Sequence, residues 1–558
     1  DGVEMAHEDL VANANNALSR DFNDQDNDPS PVLIDDAHGT AVAGIIAARA
    51  DNNLGVSGGA HMAQIAGLRL LGNQQTSATE AQALAFVKDF IDIYNNSWGP
   101  PDDGGYHPSA ALPIAAIQSG VNEGRNGRGC IYVWAGGNGG NGDWSNLDGF
   151  ANMPETIAVG ALSRTGVKAS YSERGANIFC VAPGGNVDVV TTDRTGADGY
   201  NAGGILPNPN YTSDFDGTSA ATPMVSAVVA LMLHANPTLN WREVQHILAR
   251  TCVKVDANDA GWHTNAGGLD VHHGYGFGLV DGRAASALAT QWKPIGPRER
   301  ETSVIDVANT PIPNNSATGL TRTITVSPEI YLEHVELELT LNHGDWGHLV
   351  VTLTSPDGTV AQLADANFGG GPSGNTYTFT SVQHWGEKSN GTWTLKVADI
   401  VAGSSGSLVS WRMHFSGTVE RVSDTGGTPP TANSIDLSSA APGETITIAG
   451  ANLSNAEVSI GGVAATVLSN TPLEVKARVA NGTPAGLQTV LISTPSGTAI
   501  LMLTVDSPPP GASLEGGGGG GGCSLTKTRE AFALVLALFC LLTLALRQRR
   551  QMRRESRP

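Results

Sequence analysis

The chain has 558 residues, too many for one hydrophobic core, so it is expected to fold as several domains. Its 53 acidic residues outnumber 32 basic ones, and the formal net charge of −21 argues against a nucleic-acid partner while suiting basic substrates or bound cations. Five cysteines are too few for a disulfide framework, and any bridge among Cys130, Cys180 and Cys252 leaves one of the three unpaired.

In chain order, the first distinctive segment is Asp21-Phe22-Asn23-Asp24-Gln25-Asp26-Asn27-Asp28. Its carboxylates repel one another unless a cation screens them, and hard oxygen ligands of this kind suit Ca²⁺, although the spacing is not that of an EF-hand. Asp36-Ala37-His38-Gly39-Thr40-Ala41 then sets a histidine before small residues that open a helix. Helices are expected over residues 79–93, 219–235 and 241–251, alternating with short apolar runs, which reads as an α/β parallel sheet covered by helices up to about Trp292. Within it, residues 132–140 (Tyr-Val-Trp-Ala-Gly-Gly-Asn-Gly-Gly) form a buried strand ending in a glycine-rich turn.

Residues 293–302 are a charged, proline-containing linker, and beyond them residues 335–341, 349–353, 391–397 and 411–415 alternate as β-strands. Gly426 to Pro430 forms another linker before a segment of short strands and glycine turns at 431–506. The chain closes with a Pro/Gly-rich linker at 507–530, an apolar stretch at 531–546 and a basic tail at 547–558. Sixteen helical residues span about 24 Å, short of the roughly 30 Å hydrocarbon core, and six arginines after them imply a cytoplasmic C-terminus.

The chemistry concentrates in two motifs. Ser219 lies in Phe215-Asp216-Gly217-Thr218-Ser219-Ala220-Ala221-Thr222-Pro223, at a helix N-terminus whose free N–H groups and dipole favour an oxyanion. A serine hydroxyl needs a base to take its proton as it attacks a carbonyl, and the imidazole of His38 has a suitable pKa for that role. Their joint appearance, in this order and with these flanks, resembles the subtilisin-like serine proteases, in particular the kexin/furin-type branch, over roughly residues 1–420.

That resemblance implies a calcium-dependent serine endopeptidase with a subtilisin-like α/β core at 1–292, a β-sandwich P domain at 303–420 and an immunoglobulin-like TIG domain at 431–506. It gives Ser219 the role of nucleophile, His38 that of base, and the Asn138 side chain with the Ser219 N–H that of oxyanion donors. In the family the acid of the charge relay lies in an Asp-x-Gly pattern. Aligned on Gly2, Asp1 takes the x position and the acid is expected at the residue before it, so the sequence reads as lacking its N-terminal part.

Ser97, Trp98 and Gly99 match the segment that pairs with substrate as an added strand. Asp102 and Asp148 match two carboxylates that hold Arg or Lys before the scissile bond, Asp1 and Asp35 the pair facing the preceding side chain, and Glu80 one acid of a more remote pocket. Together they imply protein or peptide substrates cleaved after basic or dibasic sites. The same resemblance places Ca²⁺ at Asp21, Asp26 and Asp28, at Asp9 and Asn52, and at Asp102, Asp143 and Glu173.

The C-terminal glycine run, Cys523, apolar stretch and basic tail resemble sorting signals of Gram-negative bacterial surface proteins, implying a secreted or cell-envelope location with a membrane contact through this segment. A different class of function remains open: a catalytically inactive, surface-anchored binding or adhesion protein that keeps the fold as a platform.

Overall fold

The computed structural model describes residues 1–507 apart from 73–74, 187, 205, 367–368, 373, 423–430, 452, 454–455 and 495–496. The linker expected at Gly426 to Pro430 and the apolar stretch and basic tail at the C-terminus lie outside the described residues.

A four-stranded parallel sheet forms the centre of the first half: β1 (Ile93–Asn96), β2 (Ile131–Ala135), β3 (Thr156–Leu162) and β4 (Ile178–Pro183), side by side in chain order. β2 and β3 are buried along their whole length, as runs with both faces covered should be. The helices are α1 (His38–Ala47), α2 (Ser77–Leu84), α3 (Ala111–Gly127), α4 (Thr218–Ala235), α5 (Trp241–Thr251) and α6 (Gly282–Gln291). α4 is rich in Ala and Val, and its Ala221, Val225, Val229 and Met232 are fully buried in the main core. Among the described residues it is the one helix long and apolar enough to cross a membrane, and here it is the packed centre of the domain.

Two expectations need correcting. The helix expected over residues 79–93 ends at Leu84, Val87 takes a φ of +44°, and Ile93 already begins β1. Here the β-branched Ile93 begins the edge strand of the sheet, paired with Ile131, and tertiary pairing outweighs helical periodicity. The linker expected at 293–302 is strand from Glu299, where Glu299–Thr302 pairs antiparallel with the strand Gly406–Thr418.

The following residues form two antiparallel sheets. One contains Tyr331–His343, Thr376–Ser381 and Gly406–Thr418, the other Leu320–Val326, Leu349–Thr354, Val360–Ala364 and Gly391–Asp399. The alternation at 335–341 is realised as buried Val335, Leu337, Leu339 and Leu341. Their shared core includes Tyr106, Trp144, Leu147 and Ala176 from the first half of the chain, so the β-sandwich and the α/β part pack as neighbours with no solvent layer between these side chains. A third unit has two β-sheets, with Thr445–Ala451 and Glu474–Arg478 in one and Glu457–Ile460, Gly486–Thr494 and Gly497–Val505 in the other, around its own apolar cluster.

Candidate active site

The first turns of α1 and α4 pack together: Ala41 and Val42 share an apolar cluster with Ala220 and Phe215. His38 and Ser219, first and second residues of their helices, therefore stand at the same end of two neighbouring helices, where N–H groups and positive dipole ends converge. The His38 ring meets Phe215 edge-on at 5.4 Å. Burial drives its pKa down to about 4. The imidazole is thus neutral at pH 7 and free to accept a proton.

Gly39 must be glycine, because a Cβ there would lie 2.0 Å from the Gly2 carbonyl oxygen. Gly217 holds a φ of +91° just before α4, a conformation that lets the chain turn and present Ser219. Ser219 Oγ donates to the Ser97 carbonyl at 3.3 Å, and Ser97 Oγ donates back to the Ser219 carbonyl at 3.0 Å. Among the described residues the hydroxyl makes no hydrogen bond to His38; such bonds commonly tighten only when substrate is present. Asn138, exposed in the turn after β2, has its side-chain oxygen fixed by Thr218 N (2.9 Å) and Thr218 Oγ1 (3.0 Å). This anchoring leaves Nδ2 to donate to another acceptor.

Ser97, Trp98 and Gly99 continue from β1, the edge of the parallel sheet. Trp98 is locked by Trp134, which donates to its carbonyl at 2.7 Å, and by ring contacts with Trp134 and Phe150. Gly99 is exposed, with no atom within 4 Å of where a Cβ would stand, so its backbone is open to an added strand.

The acidic residues fall into three arrangements. Asp102, Asp143, Asp148 and Glu173 crowd together. Asp102 accepts from Asn138 N, Glu173 from Gly139 N, and Asp143 from Gly104 N and Trp144 N. Buried oxygens of Asp148 (Oδ1) and Glu173 (Oε2) have no partner. Burial, and then the neighbouring carboxylates, pushes Asp148 up to about 9 and Glu173 well above the usual range.

In the second arrangement Asp9 accepts from Asn52 Nδ2 (2.6 Å) and Val56 N (3.0 Å), so both oxygens are satisfied. In the third, Asp21 is paired with the buried Arg69 at 2.8 Å, while Asp26 and Asp28 are exposed and accept only from the Asp28 and Ser30 N–H groups. The repulsion expected of that loop is relieved by Arg69, which also reaches Asp24 and Asp36. Among the described residues no three acidic, histidine or cysteine side chains close to metal-ligand spacing.

Asp1 has a task the sequence did not suggest: its two carboxylate oxygens accept from His38 N (2.8 Å) and Gly39 N (2.7 Å), capping α1. Asp35 is exposed three residues before His38. Glu80 sits in the first turn of α2, a helix whose Ala83 shares an apolar cluster with Trp98. Arg69, Thr218 and Phe215 were not foreseen as parts of the site.

Residues 1–278 match the Subtilase family, residues 332–415 the proprotein convertase P-domain and residues 430–504 the IPT/TIG domain. Residues 1–278 form a subtilase domain. The chain is 35% identical over 442 residues to proprotein convertase subtilisin/kexin type 6 of Homo sapiens, covering 75% of this chain and 44% of that protein. It is 36% identical over 416 residues to Furin-1 of Xenopus laevis, covering 72% and 51%. The chain thus spans about half the length of these relatives.

Among solved structures, the serine protease of Aeromonas sobria superposes with a TM-score of 0.68 at 27% identity, covering 75% of this chain and 87% of that one. The subtilase domain followed by a P domain is therefore homologous to the proprotein convertases.

Proposed function

We propose that the chain is a serine endopeptidase that cleaves polypeptides after basic residues through an acyl-enzyme. The observation that carries this reading is the shared helix end: a neutral His38, the Ser219 hydroxyl and an Asn138 amide oriented by Thr218 all stand where a scissile carbonyl would be held. Ser219 attacks the carbonyl carbon while His38 takes its proton. Asn138 Nδ2 and the Ser219 N–H stabilise the oxyanion, and His38 returns the proton to the leaving amine.

Asp102 and Asp148 are proposed as the carboxylates that receive an Arg or Lys side chain, with Asp1, Asp35 and Glu80 nearer the upstream residues. A Ca²⁺ is proposed at Asp102, Asp143 and Glu173, where a buried Glu173 oxygen is unbonded; it would draw the three carboxylates closer than they stand here. Such an ion would neutralise the floor of the pocket. Asp9 with Asn52 offers a second, already satisfied donor set. Asp21 is the least suited, since Arg69 neutralises it. A secreted or cell-envelope location, in a Gram-negative bacterium, is part of this proposal.

Fluorogenic peptides carrying Arg, Lys-Arg or Phe before the cleavage point, assayed with Ca²⁺ and after chelation, test the reading. Preference for Arg or Lys-Arg, lost with chelation, is expected. Preference for Phe would contradict the acidic pocket.

A further inference from the structure

Asp148 stands on a short stretch of chain with little regular structure, the 3-10 turn Ser145–Leu147 and the residues after it. Its main chain is held within the subtilase domain by His107, whose N donates to Leu147 O and whose O accepts from Gly149 N, both at 2.9 Å, by Ser145 N donating to Arg174 O at 3.0 Å, and by Asn177 Nδ2 donating to Ser145 O and Ala151 O. Further anchorage comes from the β-sandwich, more than two hundred residues away in sequence.

The strand Thr376–Ser381 pairs on one side with Tyr331–His343, and its other edge is the free edge of that sheet. Two buried asparagines of the subtilase domain satisfy this edge in place of a strand. Asn152 Oδ1 accepts from Thr380 N, and its Nδ2 donates to Thr378 O, both at 2.7 Å. Asn146 Nδ2 donates to Thr380 O at 2.7 Å and to Asn152 Oδ1 at 2.8 Å. The bonded groups belong to Thr378 and Thr380, the alternate residues whose polar groups face away from the paired strand, as strand geometry requires.

Tyr377 completes the arrangement: its hydroxyl donates to Asn146 O at 2.9 Å, and its ring packs on Tyr106, at 5.0 Å between centroids, in the segment that also carries Asp102 and Asp103. Both stretches of chain that shape the acidic pocket thus rest on one strand of the P domain.

We propose that this strand sets the position of Asp148, which makes Asn152 and Tyr377 positioning residues for recognition of the basic side chain. The inference rests on the reading of Asp148 as a pocket carboxylate. Asp148 is 4% exposed and its Oδ1 has no partner, so nothing else in the pocket holds that oxygen in place. Loosening the turn beneath it would therefore move the carboxylate without altering Ser219, His38 or Asn138. A displacement of this kind weakens a geometry-dependent contact to a guanidinium more than a contact to an uncharged side chain of the same shape.

The test uses the full-length protein and paired peptides with Arg or citrulline before the cleavage point. In the unaltered protein the ratio of kcat/KM for Arg over citrulline reports the pocket reading itself. In Tyr377→Phe, which removes one hydroxyl, and in Asn152→Ala, that ratio is expected to fall roughly tenfold through a higher KM for the Arg peptide, with kcat on the citrulline peptide preserved. Asn265→Ala serves as the control. It removes the bonds from Asn265 to Gln383 O and Trp385 O elsewhere in the same interface, and should lower Tm while leaving the ratio unchanged.

If the unaltered protein prefers Arg and Tyr377→Phe retains the full ratio, the positioning role is overturned and the pocket reading stands. The positioning role is also overturned if Asn265→Ala lowers the ratio as much as Tyr377→Phe does. Equal rates on both peptides in the unaltered protein would overturn the pocket reading and this inference together.

Discussion

At the scale of single residues, Asn138 shows how much depends on a bond that the sequence does not advertise. Its amide oxygen is held by Thr218, so the donor end is oriented before any substrate arrives. Asn138→Ala should lower kcat about 10²- to 10³-fold with little change in KM, because the lost donor acts on charge that develops only in the transition state. Steady-state kinetics on one peptide checks this; a change confined to KM would contradict it.

The local settings of His38, Ser219 and Asn138 were legible because each lies in a contiguous run with its own local logic, a helix start or a glycine turn. Thr218, Phe215 and Arg69 were not. Their roles come from partners 80, 177 and 48 positions away, and no local pattern encodes such a meeting. Asp1 was read as facing substrate, yet its carboxylate caps α1, an engagement that depends on where the chain crosses the helix end.

At the scale of elements, α5 joins the two halves. Arg242 makes a bidentate pair with Glu333 of the β-sandwich at 2.8 and 2.6 Å, and His246 Nε2 donates to the same carboxylate at 2.7 Å. His246 Nδ1 accepts from Arg250 at 2.9 Å and from Trp385 at 3.3 Å, so the ring is neutral. Burial opposes ionisation of Glu333, but His246 and the Arg242 guanidinium outweigh it and hold the carboxyl far below the usual range.

Both partners are almost wholly buried, so Arg242→Met leaves an unpaired interior charge and should cost roughly 3–5 kcal/mol, part of which Arg242→Met combined with Glu333→Gln recovers. Urea unfolding of the two variants checks this, and equal loss in both would contradict it. The amphipathic pattern of α5 was readable in the sequence, and its bounds Trp241–Thr251 coincide with those expected. The helix expected over 79–93 was shorter in fact, because the edge of a sheet claimed Ile93.

At the scale of the whole molecule, the boundary between the subtilase domain and the P domain buries several neutral histidines. Burial lowers His246 and His384 to about 4, and His273 and His334 to about 3, against an unperturbed value of 6.5. A histidine whose folded pKa is depressed contributes full stability above its unfolded value and loses it as the pH falls towards the folded one. Each of the four therefore lowers stability as the pH falls below about 6.5. Thermal melts should show Tm falling steeply below pH 6, with a shallower fall in His334→Phe. A Tm independent of pH from 7 to 4 would contradict this.

None of this boundary was visible beforehand. Alternation announced the strands of the sandwich, but the residues it covers on its neighbour, Tyr106, Trp144 and Asn152 among them, look locally like ordinary loop and turn positions.

The central claim is that Ser219 is an activated nucleophile, and reaction of the folded, calcium-loaded protein with a fluorophosphonate followed by peptide mapping tests it most directly. The account predicts a single adduct on Ser219, absent in Ser219→Ala and greatly slowed in His38→Ala. Folded protein that takes up no label, or labels at another serine, would contradict it.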